Sequence, residues 1–316
     1  MNSPKVSIIM ASYNRARTLG RAIDSVLRQD IPDWELIIVD DASPDNSREV
    51  IEGYVRKDAR IRATFHQRNL HVNAARNTGF DLMRGEWFTL LDNDDEMTPK
   101  ALSTMLHLAE SLKPTPDAIT CNCLDTTTGH FSGRGLERDQ WLDFDTLACR
   151  CSGEHWGITK RSLLGGERFN TRMRGAAEGI LWWRISRNAK RYYLHQALRI
   201  FHTEGADRQT KLGLTVNLDD AIGYYIEMAT EAEHLKLLKH YRPTEYSLVQ
   251  RNIALAMATA GRCTEAWKAY REAKSHLPVP QRLAVIFALL GGRLAAQAVV
   301  KAGAKVRRQA GSKRKA

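Results

Sequence analysis

No acidic residue follows Glu272, no stretch is rich in sulfur, and no long apolar run is free of charge. The start, MNSPKVSIIMASYN, lacks the basic segment, apolar core and small-residue cleavage site of an export signal. It runs directly into what reads as a strand, so no signal peptide is expected. Five cysteines, an odd number, in a chain without that signal point to reduced thiols in the cytosol. The two C-x-C pairs, Cys121/Cys123 and Cys149/Cys151, have one-residue spacers, shorter than zinc knuckles use, which argues against a thiolate metal site. The missing acids carry the most information. Past Glu272, Lys274, Arg282, Arg293, Lys301, Lys305, Arg307, Arg308, Lys313, Arg314 and Lys315 supply ten positive charges, so the net +11 falls to +1 for residues 1–272. A near-neutral body with a basic tail points to an anionic surface touched by the tail and away from a nucleic-acid-binding core.

What is present is ample apolar material. At 316 residues and 43% hydrophobic, the chain can bury a large core, as one large domain with an appendage or as two domains. The first hundred residues alternate. KVSIIMASY, WELIIVDDAS, RIRATFHQ and EWFTLLDNDD read as strands; TLGRAIDSVLRQ, SREVIEGYVRK (capped near Ser43 or Asp45) and NAARNTGFDLM read as helices. That alternation predicts a parallel sheet with helices on both faces. The polar clusters ASYN, DDASPDN, HQRN and DNDDE all fall at the carboxyl ends of these strands, where such sheets bind ligands.

Beyond residue 100 the pattern loosens. A helix, PKALSTMLHLAESL, leads to DAITCNCLDTTTG, which reads as a hairpin; a helical segment around EGILWWRISRNA and a strand RYYLHQALRIFH follow. Residues 217–274 read as helices alone, and YSLVQRNIALAMATAGRCTEAWKAYREAKSHLP, residues 246–278, resembles one tetratricopeptide-type hairpin with Gly261 at the turn. The division expected is 1–212, 213–281 as a helical region, and 282–316 as a basic amphipathic tail. In the tail, residues 283–300 are barely long enough to span a bilayer and carry Arg293 at their middle. Arg293, Gln297, Lys301 and Lys305 recur at i+4, giving one polar stripe. A helix lying on an anionic membrane surface fits this best; a helix docked on the protein and a true span are the alternatives.

VSIIMASYNRARTLGRAIDSVLRQ, LIIVDDASPDNS, AARNTGF and GEWFTLLDNDDEMTP together resemble the nucleotide-binding half of a family 2 glycosyltransferase of the GT-A fold. Each motif is weak alone; four in order at strand ends are specific. The resemblance implies an α/β fold with a Rossmann-like sheet, a mixed acceptor-side region and a C-terminal helical extension. It implies that Ser12, Tyr13 and Asn14 hold a nucleotide, with Arg76 and Asn77 near its diphosphate. It implies that Asp41 accepts a hydrogen bond from the uracil imide N–H, favouring a UDP- or dTDP-linked donor over a GDP-linked one. Tyr13 as an ordinary half-buried aromatic and Arg76 as a plain surface cation are the alternatives. Asp40 is expected to cap the turn before SPDNS.

In LDNDDE, the resemblance places Asp94 near the ribose and metal waters and Asp95 on the metal directly, with Asp92 supporting the turn. Carboxylates with no cysteine or histidine beside them favour Mn²⁺ or Mg²⁺ over zinc. A solvated acidic turn is the bland alternative. Relatives present ED before a WDLWLR-like helix, where this chain reads GAAEGILWWRIS, so Glu178 stands at the aspartate and Ala177 at the glutamate. Glu178 is the expected base of an inverting transfer; as a helix N-terminal acid it would leave that role to Glu154 or Asp145. His202 is expected to reach the metal or diphosphate, or else to serve in packing, and Glu204, Asp207 and Arg208 to lie on a loop over the donor. Trp156, Trp182 and Trp183 are stacking faces for an acceptor or core residues.

The function expected is metal-dependent inverting transfer of a sugar from a UDP- or dTDP-sugar to a glycan or lipid-linked acceptor in cell-surface polysaccharide or lipopolysaccharide assembly. The site expected is the cytoplasmic face of the cell membrane, with the tail as peripheral contact. No QxxRW motif and no cluster of spans suggests a processive synthase. A non-catalytic nucleotide-sugar-binding scaffold is the alternative, resting on the Ala177-Glu178 departure.

Overall fold

The structure, a computed structural model, describes residues 3–173, 178–203, 218–300 and 302. It divides into two compact units, Met1–Thr171 with Ala177–Gly205 and Arg172–Ala176 with Ala206–Ala316.

The first unit is built on a nine-stranded sheet: β1 (Val6–Ser12), β2 (Trp34–Asp40), β3 (Ile61–Phe65), β4 (Trp87–Leu90), β5 (Glu96–Met97), β6 (Ala118–Asp125), β7 (Gln140–Leu142), β8 (His155–Lys160) and β9 (Arg191–Phe201). Their order is β3-β2-β1-β4-β8-β6-β9-β5, with β7 also on β9. β1 pairs in parallel with β2 and β4, and β2 with β3, so the four strands expected from the first hundred residues form one parallel half. β8 joins that half antiparallel through β4 and β6, which makes the remainder mixed. The hairpin expected after residue 117 forms only as one bridge, Leu124 to Phe131; β6 takes β8 and β9 as its partners. Those partners lie far along the chain, beyond the reach of local pattern.

Both faces of the parallel half are covered, as the strands' near-continuous apolar runs require. Val6, Ile8, Met10, Leu36 and Ile38 point to one side, against Leu19, Ala22, Ile23 and Val26 of α1 (Ala16–Leu27) and Ile51 of α2 (Ser47–Lys57). Ile9, Ile37 and Val39 point to the other, against Ala75 and Phe80 of α3 (His71–Leu82). The alternation follows from successive side chains leaving a strand on opposite faces. Gly79 lets α3 approach closely, since a Cβ there would overlap the Ile9 side chain. α4 (Ala101–Ser111) joins the first face through Ala101, Leu102 and Met105. Three further helices, α5 (Phe144–Cys149), α6 (Arg161–Leu164) and α7 (Glu178–Ser186), belong to the same unit, and Leu181 and Ile185 of α7 complete the second face.

The second unit is helical over its described residues: α8 (Leu218–Met228), α9 (Ala232–Tyr241), α10 (Pro243–Thr259), α11 (Cys263–Ala273) and α12 (Val279–Leu290). The hairpin expected around Gly261 is present, with that glycine at φ 79° between α10 and α11. Its small residues Ala254, Ala258, Ala266, Ala269 and Ala273 are buried, which allows close helix contact. Among the described residues no helix is long and apolar enough to cross a membrane.

Candidate active site

The carboxyl edge of β1, β2 and β4 gathers most of the polar residues singled out by sequence. Asp40 ends β2 and accepts hydrogen bonds from the Ser43 N–H and hydroxyl, tying the turn that follows. The Asp45 carboxylate accepts from the Ser47 and Ala16 N–H groups, and Ser43 accepts from Asn14, so these side chains bind α1 and α2 together at the edge. α2 starts after Asn46, whose own side chain makes no capping hydrogen bond, and its first N–H, that of Ser47, is taken by Asp45, as expected near that residue. Asn14 takes φ 55°, a left-handed conformation that asparagine tolerates, and Tyr13 beside it is 40% exposed. An aromatic face is therefore presented at the end of β1.

Asp41 is the more unusual group. It is buried, and one oxygen accepts from the Leu70 N–H at 2.8 Å and meets His66 Nδ1 at 2.7 Å. His66 is in turn held by Thr78 Oγ1 at 3.0 Å. The second oxygen, Oδ2, is buried with no hydrogen-bond partner, as is the Ser12 hydroxyl. The two residues adjoin, since the Asp41 N–H donates to the Ser12 carbonyl. Leaving a buried carboxylate oxygen unsatisfied costs about 1–3 kcal/mol, a cost that a hydrogen-bond donor arriving at this edge would offset.

The acidic turn follows β4. Asn93 fastens it to β1 through a hydrogen bond to the Ala11 carbonyl. Two arginines then divide its charge. Arg76 of α3, buried, pairs with Asp92 Oδ1 at 3.0 Å and with Glu178 at the start of α7. Arg199 of β9, also buried, donates to Asp92 Oδ2 at 2.7 Å and to Asp95 Oδ2 from Nε at 2.9 Å. Asp95 Oδ1 accepts the His202 N–H at 2.9 Å. Two cations thus serve three carboxylates, Asp92, Asp95 and Glu178. Asp92 and Glu178 remain 44% and 42% exposed, open to a substrate, while Asp95 is fully buried.

The environments separate these groups. Burial raises the Asp92 carboxyl, but the charges of Arg199 and Arg76 more than offset that and hold it below the usual carboxylate range. Asp95 moves the other way, because burial outweighs Arg199 and the charge of Asp92 adds to the rise. Glu154, just before β8, is also raised, by burial first, against Arg199, and then by the charges of Asp92, Glu178 and Asp95. It therefore stands within the field of the same cluster, whereas Asp145 on α5 is exposed.

Other expectations find different settings. Asn77 donates to the Phe169 carbonyl and accepts the Phe169 N–H, both at 2.9 Å, so its amide braces that loop. His202 meets Glu96 Oε1 through Nε2 at 2.9 Å, and Arg28 holds the other Glu96 oxygen at 3.1 Å. Trp156 is buried with its indole N–H on the Leu90 carbonyl, and Trp182 stacks on Phe88 in the core. Trp183 packs edge-on against Phe144. Glu204, Asp207 and Arg208 lie outside the described residues, as does Ala177. Arg199 and His66 were not singled out by sequence. Arg199 standing between apolar neighbours in ALRIF, at the end of RYYLHQALRIF, is the local signal that could have marked it.

Whether the residues suit a divalent ion can be judged from the donor set. Carboxylates without thiols suit Mn²⁺ or Mg²⁺, which commonly take one or two protein oxygens and leave their other positions to water and phosphate. Among the described residues no three His, Cys, Asp or Glu side chains are grouped to hold a metal by themselves. The arrangement fits an ion shared with a substrate diphosphate. It does not fit an all-protein cage, because Asp95 and His202 already face Arg199 and Glu96.

A mixed sheet with a parallel half, polar side chains at that half's carboxyl edge and an acidic turn beside two buried arginines is the architecture of a GT-A glycosyltransferase. The family model for Glycosyl transferase family 2 matches residues 7–156. A Campylobacter jejuni protein, GalNAc(5)-diNAcBac-PP-undecaprenol beta-1,3-glucosyltransferase, is 35% identical over 237 residues, covering 73% of this chain and 75% of its own length. Staphylococcus aureus TarS 1-349 in complex with UDP-GlcNAc aligns with TM-score 0.65 at 16% identity, over 97% of this chain and 92% of that one. The mannosyltransferase PcManGT from Pyrobaculum calidifontis, in complex with GDP-Man and Mn²⁺, aligns with TM-score 0.55 at 18% identity, over 97% and 87%. The chain belongs to glycosyl transferase family 2 and is a glycosyltransferase.

Proposed function

We propose that this enzyme moves one sugar, with inversion, from a UDP- or dTDP-linked donor to a lipid-linked glycan acceptor in cell-surface glycan assembly. The observation that carries the donor assignment is the buried, unpartnered Asp41 Oδ2 beside the unpartnered Ser12 hydroxyl. A uracil or thymine ring offers an imide N–H to such an acceptor. The exposed Tyr13 ring is the neighbouring surface for base or ribose. The acceptor class rests on the Campylobacter jejuni relative, whose name specifies a diphosphate-undecaprenol-linked substrate.

In the reaction, an acceptor hydroxyl attacks the anomeric carbon, its proton passes to Glu178, and the nucleoside diphosphate leaves from the opposite face. Arg76 holds Glu178 toward the acidic turn through their ion pair. Asp94 and Asp95 would hold Mn²⁺ or Mg²⁺. Such an ion supplies Lewis acidity toward the leaving diphosphate oxygens and offsets their charge. Asp92 supports the turn by bridging the two arginines. Contact with the cytoplasmic face of the membrane through the basic tail places the enzyme beside a lipid-linked acceptor.

Hydrolysis of UDP-, dTDP- and GDP-sugars with Mn²⁺, with Mg²⁺ and with EDTA tests this reading. A UDP- or dTDP-sugar is expected to turn over, with chelation suppressing it. Asp41→Asn is expected to weaken UDP binding about ten- to a hundredfold by calorimetry, the value of a charge-assisted hydrogen bond. Preference for a GDP-sugar, or unchanged UDP affinity in the variant, would remove the donor assignment; activity indifferent to EDTA would remove the metal.

A further inference from the structure

Among the described residues, the five most exposed large apolar side chains lie close together in sequence. Val279, Leu283, Phe287 and Leu290 on α12, and Leu294 just beyond it, are each between 61% and 81% exposed. The other large apolar residues described as exposed stand at 37–40%. The spacing of the first four is 4, 4 and 3, so they line one face of α12. The opposite face is spent within the second unit, where Val285, Ala288 and Leu289 are buried and α12 packs on α10 and α11. α12 is therefore docked by one face and bare on the other. At Gly292 the chain takes φ 66°, and a second helical stretch over 292–300 carries Leu294 outward and Ala296 inward.

A folded protein rarely shows water a contiguous stripe of leucine and phenylalanine unless something covers it. Charge selects the cover. The chain has no acid after Glu272, so the stripe is flanked by Lys274, Arg282 and Arg293 and followed by seven more lysines and arginines from Lys301 onward. An apolar face on a segment whose only charged residues are basic matches the boundary between acyl chains and anionic headgroups.

We propose that Val279, Leu283, Phe287, Leu290 and Leu294 form a docking face for an anionic phospholipid bilayer. They enter the headgroup–acyl boundary side-on, while Arg282 and Arg293 engage lipid phosphates. α12 lies in the interface and does not cross it. This deepens the peripheral contact included in the proposed function, and it is tested without reference to sugar transfer.

The experiment is co-sedimentation of the full chain with sucrose-loaded vesicles of phosphatidylcholine, alone or with about one-third phosphatidylglycerol. The wild type is expected to sediment with the anionic vesicles and at least about tenfold more weakly with neutral ones. Leu283→Ser, Phe287→Ser and Leu290→Ser together should reduce anionic-vesicle affinity about a hundredfold. Circular dichroism and UDP-sugar hydrolysis without vesicles should match the wild type. Three results would overturn the inference: no sedimentation of the wild type, binding indifferent to headgroup charge, or a folded triple variant that binds as the wild type does. A wild-type dimer that the triple variant converts to a monomer would assign the face to a second copy instead. Vesicle binding without donor hydrolysis would sink the sugar-transfer reading and leave this one standing; the reverse result would do the opposite.

Discussion

Glu178 and Glu154 are both within the field of the acidic turn, and their surroundings give them different parts. Glu178 is half-exposed and ion-paired to Arg76, so an acceptor hydroxyl could reach it. Glu154 is raised by burial and by the charges of Asp92, Glu178 and Asp95, so it holds its proton to higher pH. Glu178→Gln is expected to lower kcat by about 10²- to 10⁴-fold, the usual range for a lost general base. UDP affinity should stay within a few-fold, because Glu178 acts on the acceptor. Glu154→Gln should change kcat far less. If rapid-quench kinetics show the large loss in Glu154→Gln and not in Glu178→Gln, the base is Glu154. The replacement of the family's acid pair by Ala177-Glu178 was legible in sequence; the Arg76–Glu178 ion pair was not, because the partners lie about a hundred residues apart.

Between elements, the parallel half is locked by a buried charge. Glu35 on β2 accepts from Ser7 of β1, from the Arg84 N–H and guanidinium before β4, and from Arg62 of β3. Burial alone would raise the Glu35 carboxyl, yet the hydrogen bonds from Ser7, Arg84 and Arg62 carry it below the glutamate value of 4.5. A folded-state value below the unfolded one adds stability above the unfolded pKa, and that stability is lost as pH falls through the lowered one. Glu35→Gln should therefore cost about 2–3 kcal/mol at pH 7. The gap from wild type should close in acid, beginning below about pH 4.5. Urea unfolding at pH 7, 5 and 3.5 reads this; a gap constant with pH would refute the ionised clamp. Strands and helices here were legible because apolar period and polar breaks agree. The pairing of β6 with β8 and β9 was not, since register between distant strands is settled by which faces they bury.

Across the whole molecule, charge is segregated along the chain. Residues 1–272 sum to +1, while the last forty-odd residues carry ten positive charges and no negative ones. Truncation after residue 300 removes seven lysines and arginines and keeps the apolar face of α12. The shortened protein should still bind anionic vesicles, at an affinity reduced by an order of magnitude or more and with a flatter dependence on NaCl. Its hydrolysis of UDP-sugar should be unchanged. Unaltered salt dependence on truncation would show that the tail has no share in membrane contact.

The sequence by itself determined the family, the parallel nucleotide-binding half and the polar edge where its strands end. These depend on short-range alternation and on motifs a few residues long. It also marked the basic tail, because a run without acids needs no structure to be seen. Only the tertiary structure decided how the acidic cluster is neutralised. Arg199, from a strand a hundred residues away, bridges Asp92 and Asp95, and Arg76 joins Asp92 to Glu178. Only the tertiary structure, likewise, separated the two faces of α12, since apolar residues occur all around that helix. Which of them are buried follows from what α10 and α11 cover. That sharpened the acidic turn from four like charges into a shared network, and the tail from a polar stripe into a specific apolar face.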